Sequence, residues 1–163
     1  MTPFTPDLED VEHLLYEAIY AFSNKKYECA LLAYTELLEF KENCYWDKAD
    51  VLEQRAEVYI EIGDYLKAGY DYEMALKINP TLIYLLVKME QCFKLANIHR
   101  KLSVKKFPIG EDLYYDTKTF IIYNIVTKEI FGILDKKNKK FYRKPVQEDE
   151  DLDTITFKPF KFT

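Results

Sequence analysis

The chain has 163 residues, 48% hydrophobic and 16% aromatic, with a formal net charge of −5. That apolar content suffices for one core of ordinary size with a small appendix, and it excludes a wholly disordered chain. The three cysteines, Cys29, Cys44 and Cys92, are odd in number and far from one another and from His13 and His99, a pattern that supports neither a disulfide framework nor a zinc site.

The charge is unevenly divided. Residues 1–90 carry 8 Lys/Arg against 18 Asp/Glu, a net of −10, whereas residues 91–163 carry 15 against 10, a net of +5. The halves therefore attract each other or attract different partners. The opening Met1–Asp10 is acidic and lacks a basic start and an apolar run, so no signal peptide is expected. No stretch of about 18 apolar residues occurs. A soluble, cytoplasmic chain is the expectation, with the nucleus open and no membrane partner.

In chain order, the pattern predicts helices at about 6–22, 26–40, 48–62, 64–79 and 81–97, the last with Leu102 as its outer limit. The third and fourth carry the clearest signal: Ala56, Tyr59, Gly63, Asp64, Tyr65, Ala68, Tyr72, Ala75 and Pro80. Ala56 and Ala68 let two helices approach closely. Gly63 ends one helix, Asp64 caps the next, and Pro80 follows where it must stop. Thirty-eight residues upstream the skeleton returns as Ala18, Tyr27, Ala30, Tyr34 and Leu37. The turn there is Ser23-Asn24-Lys25-Lys26, and Asn24 is the residue expected to take the left-handed conformation. The four residues by which this offset exceeds 34 are placed within Lys41–Lys48. Thirty-four residues downstream, Leu86, Phe93 and Asn97 repeat Leu52, Tyr59 and Gly63.

Over residues 8–97 these positions and the 34-residue period resemble the tetratricopeptide repeat (TPR) family. The resemblance implies TPR helical hairpins (two repeats plus a terminal helix) over 6–102; with the small antiparallel β extension that the residues of 103–163 suggest, packed on the helices, a mainly α fold is expected. It further implies an adaptor or scaffold that binds a protein or peptide on a concave face lined by the first helix of each hairpin. Helical projection places Glu12, Leu15, Tyr16, Ile19 and Phe22 there from the first copy. Asp50, Glu53, Gln54, Glu57 and Glu61 come from the second, and Tyr84, Lys88, Gln91 and Lys94 from the third. A partner that is basic and carries apolar anchors suits this face; a solvated acidic surface is the competing reading. Family members that act as co-chaperones grip a carboxylated heat-shock-protein tail with Lys, Asn and Arg. In this chain Leu15, Ile19, Gln54 and Tyr84 stand at those positions, so a co-chaperone role without an intact clamp is the weaker alternative.

Beyond Ser103 the text changes to short aromatic and β-branched runs. Thr119–Val126 and Glu129–Leu134 are expected to form a hairpin about Thr127-Lys128, Asp135–Lys139 a second turn, and Lys140–Arg143 a third strand. Thr154–Phe162 is a candidate fourth strand of a three- or four-stranded meander. One sheet face should pack on the helices, since so small a sheet does not stand alone. Lys136, Lys137, Lys139, Lys140, Arg143 and Lys144, interleaved with Phe141 and Tyr142, raise a nucleic-acid alternative, against which the acidic run Glu148–Asp153 stands. With four glycines in all there is no phosphate loop, and no nucleophile–base pair or metal set is evident. No enzyme activity and no cofactor are expected.

Overall fold

The computed structural model of the protein describes residues 8–40, 47–98 and 101–145. Among these lie five helices, α1 (Leu8–Ser23), α2 (Tyr27–Glu39), α3 (Lys48–Glu61), α4 (Tyr65–Ile78) and α5 (Tyr84–Ala96). Five strands follow: β1 (Val104–Lys106), β2 (Leu113–Asp116), β3 (Ile121–Asn124), β4 (Ile130–Asp135) and β5 (Lys140–Arg143). They form one antiparallel sheet in the order β1-β2-β3-β4-β5. The fold is mainly α with a β extension.

Each helix packs on the next in sequence. The alanines permit it: Ala18, Ala30, Ala56, Ala68 and Ala75 are fully buried, and Tyr34 and Tyr72 fill the space beside them. Three helix ends share one device. Lys25, Gly63 and Asn97 take left-handed backbone, with φ of 59°, 83° and 52°. Their spacings of 38 and 34 residues are those of the sequence repeat. At the first two, the closing bonds also match: Lys25 N to Phe22 O and Lys26 N to Ala21 O, then Gly63 N to Ile60 O and Asp64 N to Tyr59 O. Lys25, not Asn24, carries the left-handed turn. Asn24 contributes its side chain instead, donating from Nδ2 to Tyr20 O at 2.8 Å. Asp64 caps α4 as expected, accepting from Lys67 N at 3.2 Å. The fifth helix begins at Tyr84 rather than Thr81, because Asn79 Oδ1 captures the Thr81 backbone N–H and hydroxyl in a turn.

In place of the expected three or four strands, five are seen among the described residues, and β1 and β2 were not expected. Its three later turns follow one rule: Asp116, Asn124 or Asp135 closes a strand, and the residue four places on is left-handed, with φ of 63° at Phe120, 65° at Lys128 and 53° at Lys139. The Asx side chain holds each turn. Asp116 accepts from Lys118 N and Thr119 Oγ1, Asn124 Oδ1 from Val126 N and Thr127 N, and Asp135 from Asn138 N and Nδ2. The hairpin expected at Thr127-Lys128 is therefore a four-residue loop, Ile125–Lys128, and β3 stops at Asn124. The candidate strand at Thr154–Phe162 and the stretch assigned to the extra residues at 41–48 lie outside the described residues, except for Asp47 and Lys48 at the start of α3.

Both sheet faces are apolar. Ile121, Ile130 and Ile133 join the helical core with Leu85, Leu86 and Met89, as a sheet docked on the helices requires. Phe107, Leu113, Ile122, Leu134 and Phe141 form a separate core on the other face. Phe107, just past β1, stands edge-on to Phe141 of β5 with ring centroids 5.2 Å apart, although these strands are opposite edges of the order. The sheet is thus curled enough to bring its edges together and cover its own inner face. An irregularity at Ile122/Tyr123 shifts the β3–β4 register, which is why Ile130 and Ile133, three apart, share a face.

Candidate functional site

The residues expected on the binding face fall into two groups. On α1, Glu12 is exposed, Tyr16 is 79% exposed and Ile19 45%, and Tyr20 beside them is 64% exposed. Leu15 and Phe22 are instead half-buried against the first hairpin's core. The amphipathic spacing of α1 buries Val11, Ala18 and Ala21 and leaves the aromatic stripe outside.

Across α3 and α5 the residues are tied to one another. Tyr84 donates its hydroxyl to Glu53 Oε2 at 2.8 Å, and Lys88 Nζ meets Glu57 Oε1 at 2.8 Å. These bonds put Glu53, Glu57, Tyr84 and Lys88 on a common face. Core tyrosines reach the same helix from behind: Tyr72 donates to Glu57 Oε1 at 2.6 Å and Tyr34 to Gln54 Oε1 at 3.0 Å. Burial pushes the Glu57 carboxyl up, but the bonds from Lys88 and Tyr72 outweigh it and hold the group below its ordinary 4.5. Burial and then Glu57 raise the Tyr72 hydroxyl, and burial and then Glu53 raise that of Tyr84, so both remain donors. Two carboxylates of the stripe are thereby engaged from within. Asp50, Glu61 and Gln91 are exposed.

Three residues absent from the sequence reading, Arg55, Asp71 and Glu90, hold the platform. Arg55 forks onto Asp71, Nε to Oδ2 at 2.8 Å and Nη2 to Oδ1 at 2.7 Å, with Nη1 reaching Thr35 Oγ1 at 3.2 Å; the pair ties α2, α3 and α4. Glu90 joins the helices to the sheet: Oε2 accepts from Ile130 N at 2.7 Å and Oε1 from Lys144 Nζ at 3.0 Å. The one signal was an Asp on the buried side of α4, between Tyr70 and Tyr72; Glu90, between Met89 and Gln91, gave none.

The basic residues of the nucleic-acid alternative are not one surface. Lys136, Lys137 and Lys139 stand exposed in the β4–β5 turn, with Lys136 over the Phe120 ring at 4.3 Å. Lys140 is half-buried at the start of β5 and Arg143 exposed at its end, while Lys144, past that end, is held by Glu90. Cys92 is buried, and burial with the nearby Glu57 pushes its thiol up to about 11. Among the described residues no group of three or more His, Cys, Asp or Glu is placed to hold a metal ion. No helix among them is long and apolar enough to cross a membrane.

No family model matches the chain, and neither a curated protein nor a solved structure matches it at a significant level.

Proposed function

We propose that the protein is a non-enzymatic interaction adaptor, a TPR-like stack of two helical hairpins and a closing helix that binds a protein or peptide through the α1/α3/α5 face. The observation that carries the reading is the α1 stripe. Tyr16 and Ile19 are large apolar side chains held out in water beside Glu12, and although isolated apolar exposure is ordinary, their alignment with Tyr20 in one stripe supports a binding surface. The repeated left-handed closures at Lys25, Gly63 and Asn97 support the repeat assignment. The partner suited to the face carries apolar anchors for Tyr16 and Ile19 and cations for Glu12, Asp50 and Glu61. A carboxylated tail is disfavoured, because Lys88 already serves Glu57.

The test is affinity purification of the tagged full chain from its native cell beside two variants. Tyr16→Ala/Ile19→Ala and Asp50→Lys/Glu61→Lys alter exposed positions, so both should fold and both should lose the captured protein. Leu32→Ala, an equally exposed apolar site on α2, should retain it. Capture unchanged in both double variants would remove the adaptor reading.

A further inference from the structure

Away from the helical face, an open cleft of about 340 Å³ lies between α5 and the β3–β4 hairpin. That volume is within the range of small-molecule sites, which are mostly apolar with a few convergent polar groups. Phe93 from the end of α5, Ile98 and Leu102 from the connection, and Tyr123 and Ile130 from the sheet supply the apolar walls. Three charged side chains line it as well: Glu90, Lys94 and Lys128.

The charge balance of these groups decides what the cleft favours. The Glu90 carboxylate is committed, since it accepts from Ile130 N–H and pairs with Lys144 at 3.0 Å, with side chains only 15% and 20% exposed. Lys94 stands a looser 3.8 Å from the same oxygen and is 67% exposed. Lys128, held in place by its left-handed turn, is exposed on the opposite rim. The single charge of Glu90 is thus shared between two ammoniums, those of Lys144 and Lys94, and Lys128 adds a third cation across the apolar slot, so Lys94 and Lys128 are not fully compensated. A neutral apolar guest would leave both uncompensated and a cation would be repelled, whereas an anionic head on an apolar body meets both requirements.

We propose that this cleft binds a small amphipathic organic anion, an aromatic or acyl body bearing one carboxylate, sulfonate or phosphate group, with Lys94 and Lys128 receiving the head. Lys94, expected on the binding face, is drawn to Glu90 at the cleft instead; the two sites share α5 but no residue altered in their tests, and each can fail without the other.

The probe is 1-anilinonaphthalene-8-sulfonate, an aromatic sulfonate whose fluorescence rises on leaving water, titrated into the native full chain. One saturable site is expected, with dodecanoate competing and the uncharged N-phenyl-1-naphthylamine binding at least tenfold more weakly. Lys94→Glu/Lys128→Glu changes two exposed residues and should weaken the sulfonate by about tenfold or more, the factor that a lost charge-assisted contact of about 1.4 kcal/mol produces. Ile98→Trp, which fills the cleft and leaves the lysines, should block sulfonate and dodecanoate alike. Absence of a saturable site, an affinity unchanged in the lysine variant, or equal affinity for the uncharged analogue would overturn the assignment.

Discussion

Truncating Glu90 to alanine is expected to loosen the joint between the helices and the sheet. The carboxylate is 15% exposed and takes two bonds from the β region, Ile130 N at 2.7 Å and Lys144 Nζ at 3.0 Å. Ile130 itself is 5% exposed, so its N–H would be left without an acceptor in a nearly dry place. A bond to a charged group contributes about 1.5–3 kcal/mol, and a stranded donor costs about as much again to desolvate. Lys144 recovers part of its loss because its long stem lets the ammonium turn to water. One full loss at Ile130 and a reduced one at Lys144 give about 2–4 kcal/mol. Glu90→Gln keeps a carbonyl for Ile130 and should cost only about 1 kcal/mol. Pairing Glu90→Ala with Lys144→Met should show a coupling of about 1–2 kcal/mol. Urea unfolding followed by circular dichroism reads these differences as midpoint shifts at constant slope. A Glu90→Ala midpoint within error of the parent, or zero coupling, would refute the claim that this carboxylate holds the two layers together.

Two glycines should respond differently to the same methyl group. Gly132→Ala would drive its Cβ into the Tyr142 carbonyl of the paired strand, so β4 and β5 must separate, at a cost of roughly 3 kcal/mol or more. Gly63→Ala meets no neighbour and strains only the left-handed backbone at φ 83°, for about 1 kcal/mol. Thermal melts should rank them in that order, and equal shifts would contradict the sheet geometry. The Glu57 carboxyl, depressed in the fold, should add stability above its ordinary 4.5 that fades as pH falls through its lower folded value. Glu57→Gln should flatten that part of the stability–pH curve, and an unaltered acid limb would show that Lys88 and Tyr72 do not hold it.

What could be read from the chain is what repeats locally. Ala18/Ala56, Ala30/Ala68 and Tyr34/Tyr72 recur at a fixed offset because each copy must solve the same close-packing problem, and all six are buried. The helix ends were legible to within three residues for the same reason. The first two strands were not, because Val104-Lys105-Lys106 is exposed throughout and offers no alternation, and Leu113–Asp116 is short. The turn rule was available in Asp116, Asn124 and Asp135, but the β-branched Ile125 and Val126 prolonged the apparent strand past Asn124. Both are exposed in the loop. On the candidate face, helical spacing listed Glu53, Glu57, Tyr84 and Lys88 together, yet it gave no means of seeing that Glu53 would bond Tyr84 and Glu57 would pair with Lys88. Arg55–Asp71 and Glu90–Lys144 were beyond reach, since those partners stand 16 and 54 residues apart and meet only in the folded chain.

The division of charge along the chain has a different meaning in three dimensions from the one it suggests in sequence. A net of −10 followed by +5 invites the picture of basic turns lying over acidic helices. Instead the two parts meet over apolar side chains, Ile121, Ile130 and Ile133 against the helical core, with Glu90–Lys144 as the ionic link between helix and strand end. Ile130 begins β4 and Lys144 follows β5, so the lysine turn that joins their other ends is carried away from the helices by the length of the hairpin. The burial of the joint makes its strength depend weakly on salt, because screening acts on exposed charges over about 8–10 Å. The uncompensated charge on each part therefore remains at the surface. Under the two proposals made above, the carboxylates on the helices would serve a cationic partner and the lysines at the cleft an anionic one, two kinds of recognition in one small chain.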